Sequence, residues 1–226
     1  MTPAFIVTGM GRSGTKWLAT VLNKSSGARV YHEALGGWDS RHYWRIITGE
    51  MTPVQFVEKR GKQRGASGHY GDVNSYLRYA AGAFHDELDI PVAGLIRHGH
   101  WTVRSLMVRG CYQRTGYPPV PAPSQFETPF EKCCWYWSDT YERLDAWGIP
   151  IWRLEDLTTD YAKLCALTQT LGIVPPKEAM WKQLRGQRVN RTKGTDTSEP
   201  PVFDTNQRQV FAHIAGATQR RYGYVD

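Results

Sequence analysis

The chain has no apolar stretch long enough to cross a bilayer, so no transmembrane helix is expected. It has only four cysteines, Cys111, Cys133, Cys134 and Cys165, with no C-x-x-C pair and no zinc spacing. The adjacent Cys133 and Cys134 suit a disulfide poorly, so reduced thiols are expected. It lacks the basic start and long apolar stretch of a secretion leader, and a cytoplasmic location is expected. It also lacks any long Lys/Arg run. The formal net charge of +7 and pI near 9.3 come from scattered residues. A basic surface suits an anionic partner such as a nucleotide or nucleic acid, and charge alone does not decide between them; no nucleic-acid partner is expected. No internal repeat and no composition break divides the 226 residues, so residues 1–226 are read as one domain.

What is present starts with "AFIVTGMGRSGTKWLATVL". An apolar run over 4–8 predicts a buried strand, and apolar spacing over 14–24 predicts a helix. Between them Gly9, Gly11 and Gly14 make a tight loop. A helix N-terminus carries unpaired N–H groups and partial positive charge, so such a loop is built to face an anion. Further strands are predicted over 28–33, 90–97 and 149–157, the last ending in a turn. Helices are predicted over 52–60, 72–88, 100–110, 126–148, 158–173 and 206–221, and loops over 61–71, 112–125 and 186–205. Strands alternating with helices imply an α/β fold, a three-layer sandwich around a central parallel sheet. Ligands of such sheets sit beyond the carboxyl ends of the strands. The glycine loop, His32 with Glu33, and Arg97 all fall there, so one shared crevice is expected.

Three nucleotide-binding patterns compete for the loop. The triphosphatase pattern G-x-x-x-x-G-K-[ST] fits Gly9 and Gly14, but Thr15 follows and Lys16 comes one place late. A one-residue slip turns a helical side chain by about 100°. The dinucleotide pattern G-x-G-x-x-G fits Gly9, Gly11 and Gly14, with Glu33 ending the second strand near the ribose-binding position. The third pattern is a resemblance. "GMGRSGTKWL" is similar to the 5′-phosphosulfate loop of sulfotransferases, through Arg12, Ser13, Gly14, Thr15 and Trp17; Lys16 replaces the customary second threonine.

"LIRHGHWTVRSLM" resembles a second motif of that family, with Arg97 ending a strand and Ser105 eight residues on. His98-Gly99-His100 replaces its usual Asn or Asp and Pro. "WRLEDLTTDYAKLCALTQTLGI" is similar to its strand, Glu-Asp-Leu and helix. "YGDVNSYLRYAAGAF" resembles its Gly-Asp-Lys-x-Pro region, with Val73 and Ser75 in place of Lys and Pro. "NRTKGTD", with Arg191, Lys193 and Gly194, resembles the loop that closes over the nucleotide, and "QRRYGYVD" its C-terminal ending.

The resemblance implies a P-loop-like nucleotide-binding fold. It implies transfer of a sulfuryl group from 3′-phosphoadenosine 5′-phosphosulfate (PAPS) to a hydroxyl or amine, leaving adenosine 3′,5′-bisphosphate (PAP). Arg12, the amides of Ser13 to Thr15, Lys16 and Trp17 would hold the sulfonated end, and Arg97 with Ser105 the 3′-phosphate. Arg191, Lys193 and Gly194 would close over the donor. Glu33, ending the strand next to the loop, is the expected catalytic base, with adjacent His32 as the other candidate. Alternation along a strand predicts that only one of the two faces inward. His69, Asp72 and Asn74 lie where relatives place a base or lysine. No metal is implied, because cationic side chains can carry the charge. The acceptor, a small molecule or glycan, would sit against segments 34–70 and 111–130. A dinucleotide-dependent oxidoreductase and a non-catalytic polyanion binder remain as alternatives. From the residues alone, Trp17 reads as packing the helix onto the sheet rather than touching ligand, and the bland reading of Glu33 is a helix cap.

Overall fold

The computed structural model describes residues 4–25, 29–34, 41–64, 70–114, 118, 120–187 and 203–225, apart from the side chains of 41–43 and 60–64. Arg191, Lys193, Gly194 and His69 lie outside the described residues.

Five parallel strands form one sheet in the order β2-β3-β1-β4-β5. They are β1 (Phe5–Thr8), β2 (Arg29–His32), β3 (Tyr70–Val73), β4 (Val92–Ile96) and β5 (Ile151–Arg153). Every residue of β1, β3 and β4 is buried. That is why β1 and β4 read as unbroken apolar runs rather than alternating ones: helices cover both faces. Alternation survives in which face each residue serves. Ile6, Val92 and Ile96 join a core beneath helices α4 (Ala81–Leu88), α5 (Gly99–Val108), α6 (Pro129–Ala146) and α10 (Thr205–Arg221). Phe5, Val7, Ala93 and Leu95 join the opposite core, with α1 (Thr15–Leu22), α8 (Tyr161–Thr170) and α9 (Glu178–Leu184). The expected three-layer α/β arrangement is therefore present.

Three expectations are corrected. First, β3 stands where the sequence predicts a loop and the start of a helix. Its four residues, Tyr-Gly-Asp-Val, include a buried carboxylate, and hydrogen bonds make that tolerable: Asp72 accepts from the distant Ala34 amide and from the nearby Asn74 side chain, each at 2.9 Å. The helix begins later, with Asn74 capping a 3-10 segment, Ser75–Ala80, that leads into α4. Second, β3 rather than β2 lies beside β1. The dinucleotide order 3-2-1-4-5 needs the second strand beside the first, so the sheet departs from that alternative, and Glu33 does not end a strand adjoining the glycine loop. Third, residues after β5 continue as a short helix, α7 (Leu154–Thr159), rather than a turn. Helices α2 (Arg41–Ile47) and α3 (Pro53–Arg64) fill the connection to β3.

Close approach of β1 and β4 fixes one glycine. Gly9 has φ +151°, and a Cβ there would collide with the Leu95 carbonyl oxygen. Gly9→Ala must therefore push the central strands apart, and a stability loss of at least ~3 kcal/mol is expected. Chemical denaturation of the purified variant, or its failure to accumulate in soluble form, checks this.

Candidate nucleotide and catalytic site

The loop after β1 is held from below. Tyr141 on α6 accepts from the Met10 amide at 3.2 Å and donates to the Leu95 carbonyl at 3.0 Å. The Ser13 amide and hydroxyl both go to the Met10 carbonyl, at 3.2 and 2.6 Å, and Ser13 is buried. Ser13 thus shapes the turn from inside instead of offering its own donors. Arg12 and Gly14 take left-handed backbone conformations, at φ 78° and 94°. The first bond inside α1 runs from the Leu18 amide to the Gly14 carbonyl. The N–H groups of Thr15, Lys16 and Trp17 precede it as the unpaired donors of a helix start. No acidic residue occupies that first turn. The arrangement suits an anion.

Side chains of the loop divide by task. Trp17 is buried, its indole donating to the Leu184 carbonyl at 3.0 Å, so only its backbone faces the site. Lys16 is exposed and lies near enough to His32 to act on its charge. Arg12 reaches across the crevice, its Nε 2.9 Å from Ser105 Oγ on α5. Arg97, just past β4, donates to the Arg12 carbonyl at 3.4 Å and lies over the Trp101 ring. Arg12, Arg97 and Ser105 are therefore brought together, as the shared crevice required. His98, where an Asn or Asp was customary, still caps α5: its ring accepts from the His100 amide at 3.3 Å.

The end of β2 supplies the other wall. Glu33 has φ 60°, which breaks strand alternation. Both His32 and Glu33 consequently turn toward the crevice, correcting the expectation that only one would. His32 Nε2 is 3.1 Å from Thr15 Oγ1 and 3.7 Å from a Glu33 oxygen. Ser75 donates its hydroxyl to Glu33 at 2.9 Å. Burial raises the Glu33 pKa above the ordinary carboxylate value; the Ser75 hydrogen bond opposes this, Asp72 adds to it, and Arg78 opposes it. Burial first, and Lys16 second, push the His32 pKa down to about 4.

The His32 shift has a stability consequence. Its folded pKa lies below the free value of 6.5, so the unfolded chain takes up the proton first. Stability is lost as pH falls from 6.5 toward 4, by on the order of 2–3 kcal/mol. Urea unfolding at pH 7 and pH 4.5 is expected to show a larger drop for the wild type than for His32→Gln.

Two residues of this wall, Ser75 and Arg78, were not assigned from sequence. Their signal was a serine and an arginine inside the otherwise apolar "NSYLRYAAGAF", where a charge needs a reason. Among the described residues no cluster of His, Cys, Asp or Glu could hold a metal ion, and no helix is long and apolar enough to cross a membrane.

No family model and no curated protein matches the sequence. Solved structures do match. A sulfotransferase from Alicyclobacillus acidocaldarius is similar at TM-score 0.55 and 12% identity, covering 100% of this chain and 98% of the other. The sulfotransferase domain from the curacin biosynthetic pathway gives 0.55 and 11%, covering 100% and 99%. A mouse sulfotransferase complexed with PAP gives 0.58 and 13%, covering 96% and 84%. At these identities the likeness speaks for architecture, and the chain has a sulfotransferase-like fold.

Proposed function

We propose that the chain transfers a sulfuryl group from PAPS to a hydroxyl acceptor. The observation that carries this reading is the meeting of Arg12, Arg97 and Ser105 above the first turn of α1, with Arg12 Nε 2.9 Å from Ser105 Oγ. Two guanidinium groups, a hydroxyl and unpaired helix amides in one crevice fit a nucleotide with anions at both its 5′ and 3′ positions. A dinucleotide has no such need at the ribose 3′ position.

PAPS would supply an activated sulfuryl group: the acceptor oxygen forms the new S–O bond, the bond to the 5′-phosphate breaks, and PAP leaves with that electron pair. The α1 amides and Arg12 hold the sulfonated end, and Lys16 adds charge at the mouth. These fixed donors stabilise charge that builds on oxygen during transfer. Arg97 and Ser105 take the 3′-phosphate. Val73 stands where relatives carry a lysine and is fully buried, so the leaving oxygen relies on Arg12 and the amides. Glu33 takes the acceptor proton. Its raised pKa makes it a better base than an exposed carboxylate. Neutral His32, anchored to Thr15, orients the wall beside it. The acceptor is a small molecule or glycan.

Thermal unfolding with nucleotides tests the donor. PAP at about 100 times its Kd is expected to add ~2.7 kcal/mol to stability. NADH, ATP and adenosine 5′-phosphate at equal concentration should shift melting far less. Stabilisation by NADH and not by PAP would reject the proposal.

A further inference from the structure

The left-handed backbone of Glu33 costs free energy in any residue but glycine, and it persists only where its surroundings enforce it. The enforcing groups come from one stretch of the neighbouring strand. The Glu33 amide donates to the Val73 carbonyl at 3.1 Å, where the β2–β3 ladder ends. The next amide, that of Ala34, leaves the ladder and donates to the Asp72 carboxylate at 2.9 Å. The Glu33 side chain then accepts from the Ser75 hydroxyl at 2.9 Å.

Asp72 has no exposed surface, and a carboxylate is a costly choice for a strand buried along its whole length. A valine would suit such a strand better. What a valine lacks is an acceptor for Ala34. Asp72 is also fixed from behind, its other oxygen accepting from the Asn74 side chain at 2.9 Å. Asn74 is tied to β1 by its backbone. Its amide donates to the Val7 carbonyl at 2.7 Å, and its carbonyl accepts from the Thr8 hydroxyl at 2.8 Å. The glycine loop follows directly on Thr8. β2 does not pair with β1, because β3 lies between them. The path Ala34–Asp72–Asn74–Thr8 therefore sets the base against the anion loop across an intervening strand.

We propose that Asp72 is a positioning residue for sulfuryl transfer: its carboxylate holds the left-handed turn that aims Glu33 at the nucleotide loop. This rests on the sulfotransferase reading for what Glu33 does. Buried as it is, Asp72 acts through the Ala34 amide and not on substrate. Its charge works in the same direction as its geometry. Burial raises the Glu33 pKa most and the Ser75 bond lowers it; Asp72 raises it further, against Arg78.

NMR of the isotope-labelled full chain reads the turn and the base separately. The Ala34 amide shift reports its hydrogen bond. The coupling between the Glu33 amide and Hα separates a left-handed backbone from an extended one. Titration of the Glu33 carboxyl carbon, without and with PAP, reports whether the base faces the donor. In the wild type the negative charge of PAP is expected to raise that pKa. Asp72→Val is expected to release the Ala34 amide, return Glu33 to an extended coupling and abolish the PAP effect, with PAP affinity within about threefold of wild type. Asp72→Asn combined with Asn74→Asp keeps an acceptor for Ala34 and a donor–acceptor pair between the two side chains, so all three signals should stay. Asp72→Asn alone offers one acceptor to two donors. Whichever bond it gives up, Glu33 should keep its turn only if Ala34 keeps its bond, so this milder change decides the matter should Asp72→Val not fold. A left-handed coupling and a full PAP effect at Glu33, in a variant whose Ala34 amide is released, would overturn the proposal. So would their loss in a variant that keeps the Ala34 bond. Failure of the donor reading shows differently: PAP then moves neither the Glu33 titration nor the melting temperature of the wild type, while the Ala34 amide and the Glu33 coupling still report on the turn.

Discussion

Glu33→Gln is expected to slow sulfuryl transfer by about 10²- to 10⁴-fold while leaving PAP affinity within about threefold of wild type. The amide keeps an oxygen for the Ser75 hydroxyl, which now bonds the carboxylate at 2.9 Å, so the wall should hold its shape. What is lost is the proton acceptor alone. The same change is expected to stabilise the protein at pH 7. The folded pKa of Glu33 lies above its free value of 4.5, chiefly because burial penalises the charge. Between those two values the folded chain holds the proton more tightly, so stability falls as pH rises through that window. The uncharged amide of the Glu33→Gln variant carries no such penalty. A slower yet more heat-resistant variant would mark Glu33 as a residue kept for chemistry at a cost in stability. The wild-type kcat/KM should rise with pH through a pKa above the usual carboxylate range, and the variant should lose that limb. Retained turnover would move the base elsewhere, and a lower melting temperature would mean that Glu33 is a structural cap.

Local chemistry made part of this readable beforehand. β1 and β4 are apolar runs because both their faces are covered, and the glycines after β1 mark a backbone no other residue can follow at Gly9. Arg97 and Ser105 are named through the family resemblance, and the structure sets Ser105 against Arg12 Nε and Arg97 against the Arg12 carbonyl. β3 could not be read that way. Tyr70–Val73 is a strand in which Asp72, besides its neighbour Asn74, finds the Ala34 amide, a partner that only the folded chain supplies. Missing it also placed β2 wrongly, and with it Glu33. The inward turn of both His32 and Glu33 depends on one positive φ, which alternation cannot foresee. Arg78 stands out as a charge in an apolar segment, but its packing against Tyr136 comes from α6, far along the chain.

Arg97→Met is expected to weaken PAP by about 30- to 150-fold, the loss of ~2–3 kcal/mol of charged hydrogen bonding. Adenosine 5′-phosphosulfate, which has no 3′-phosphate, should change by less than about threefold on the same scale. Methionine keeps bulk over Trp101, where the guanidinium now lies 5.2 Å from the ring centroid, so packing is largely preserved. Ser105→Ala makes the contrast. Its hydroxyl accepts from Arg12 Nε, and Arg12 belongs to the loop at the sulfonate end. Removing Ser105 therefore loosens both ends of the site, and both nucleotides should lose affinity together, each by a smaller factor than Arg97→Met costs PAP. Isothermal titration of the two nucleotides against the two variants separates the roles. A selective loss in Arg97→Met with a shared loss in Ser105→Ala requires one nucleotide to span the crevice, its 3′ end at Arg97 and its 5′ end at α1. Equal losses of both nucleotides in Arg97→Met would instead place Arg97 at the sulfonate, and the 3′-phosphate would need another cation.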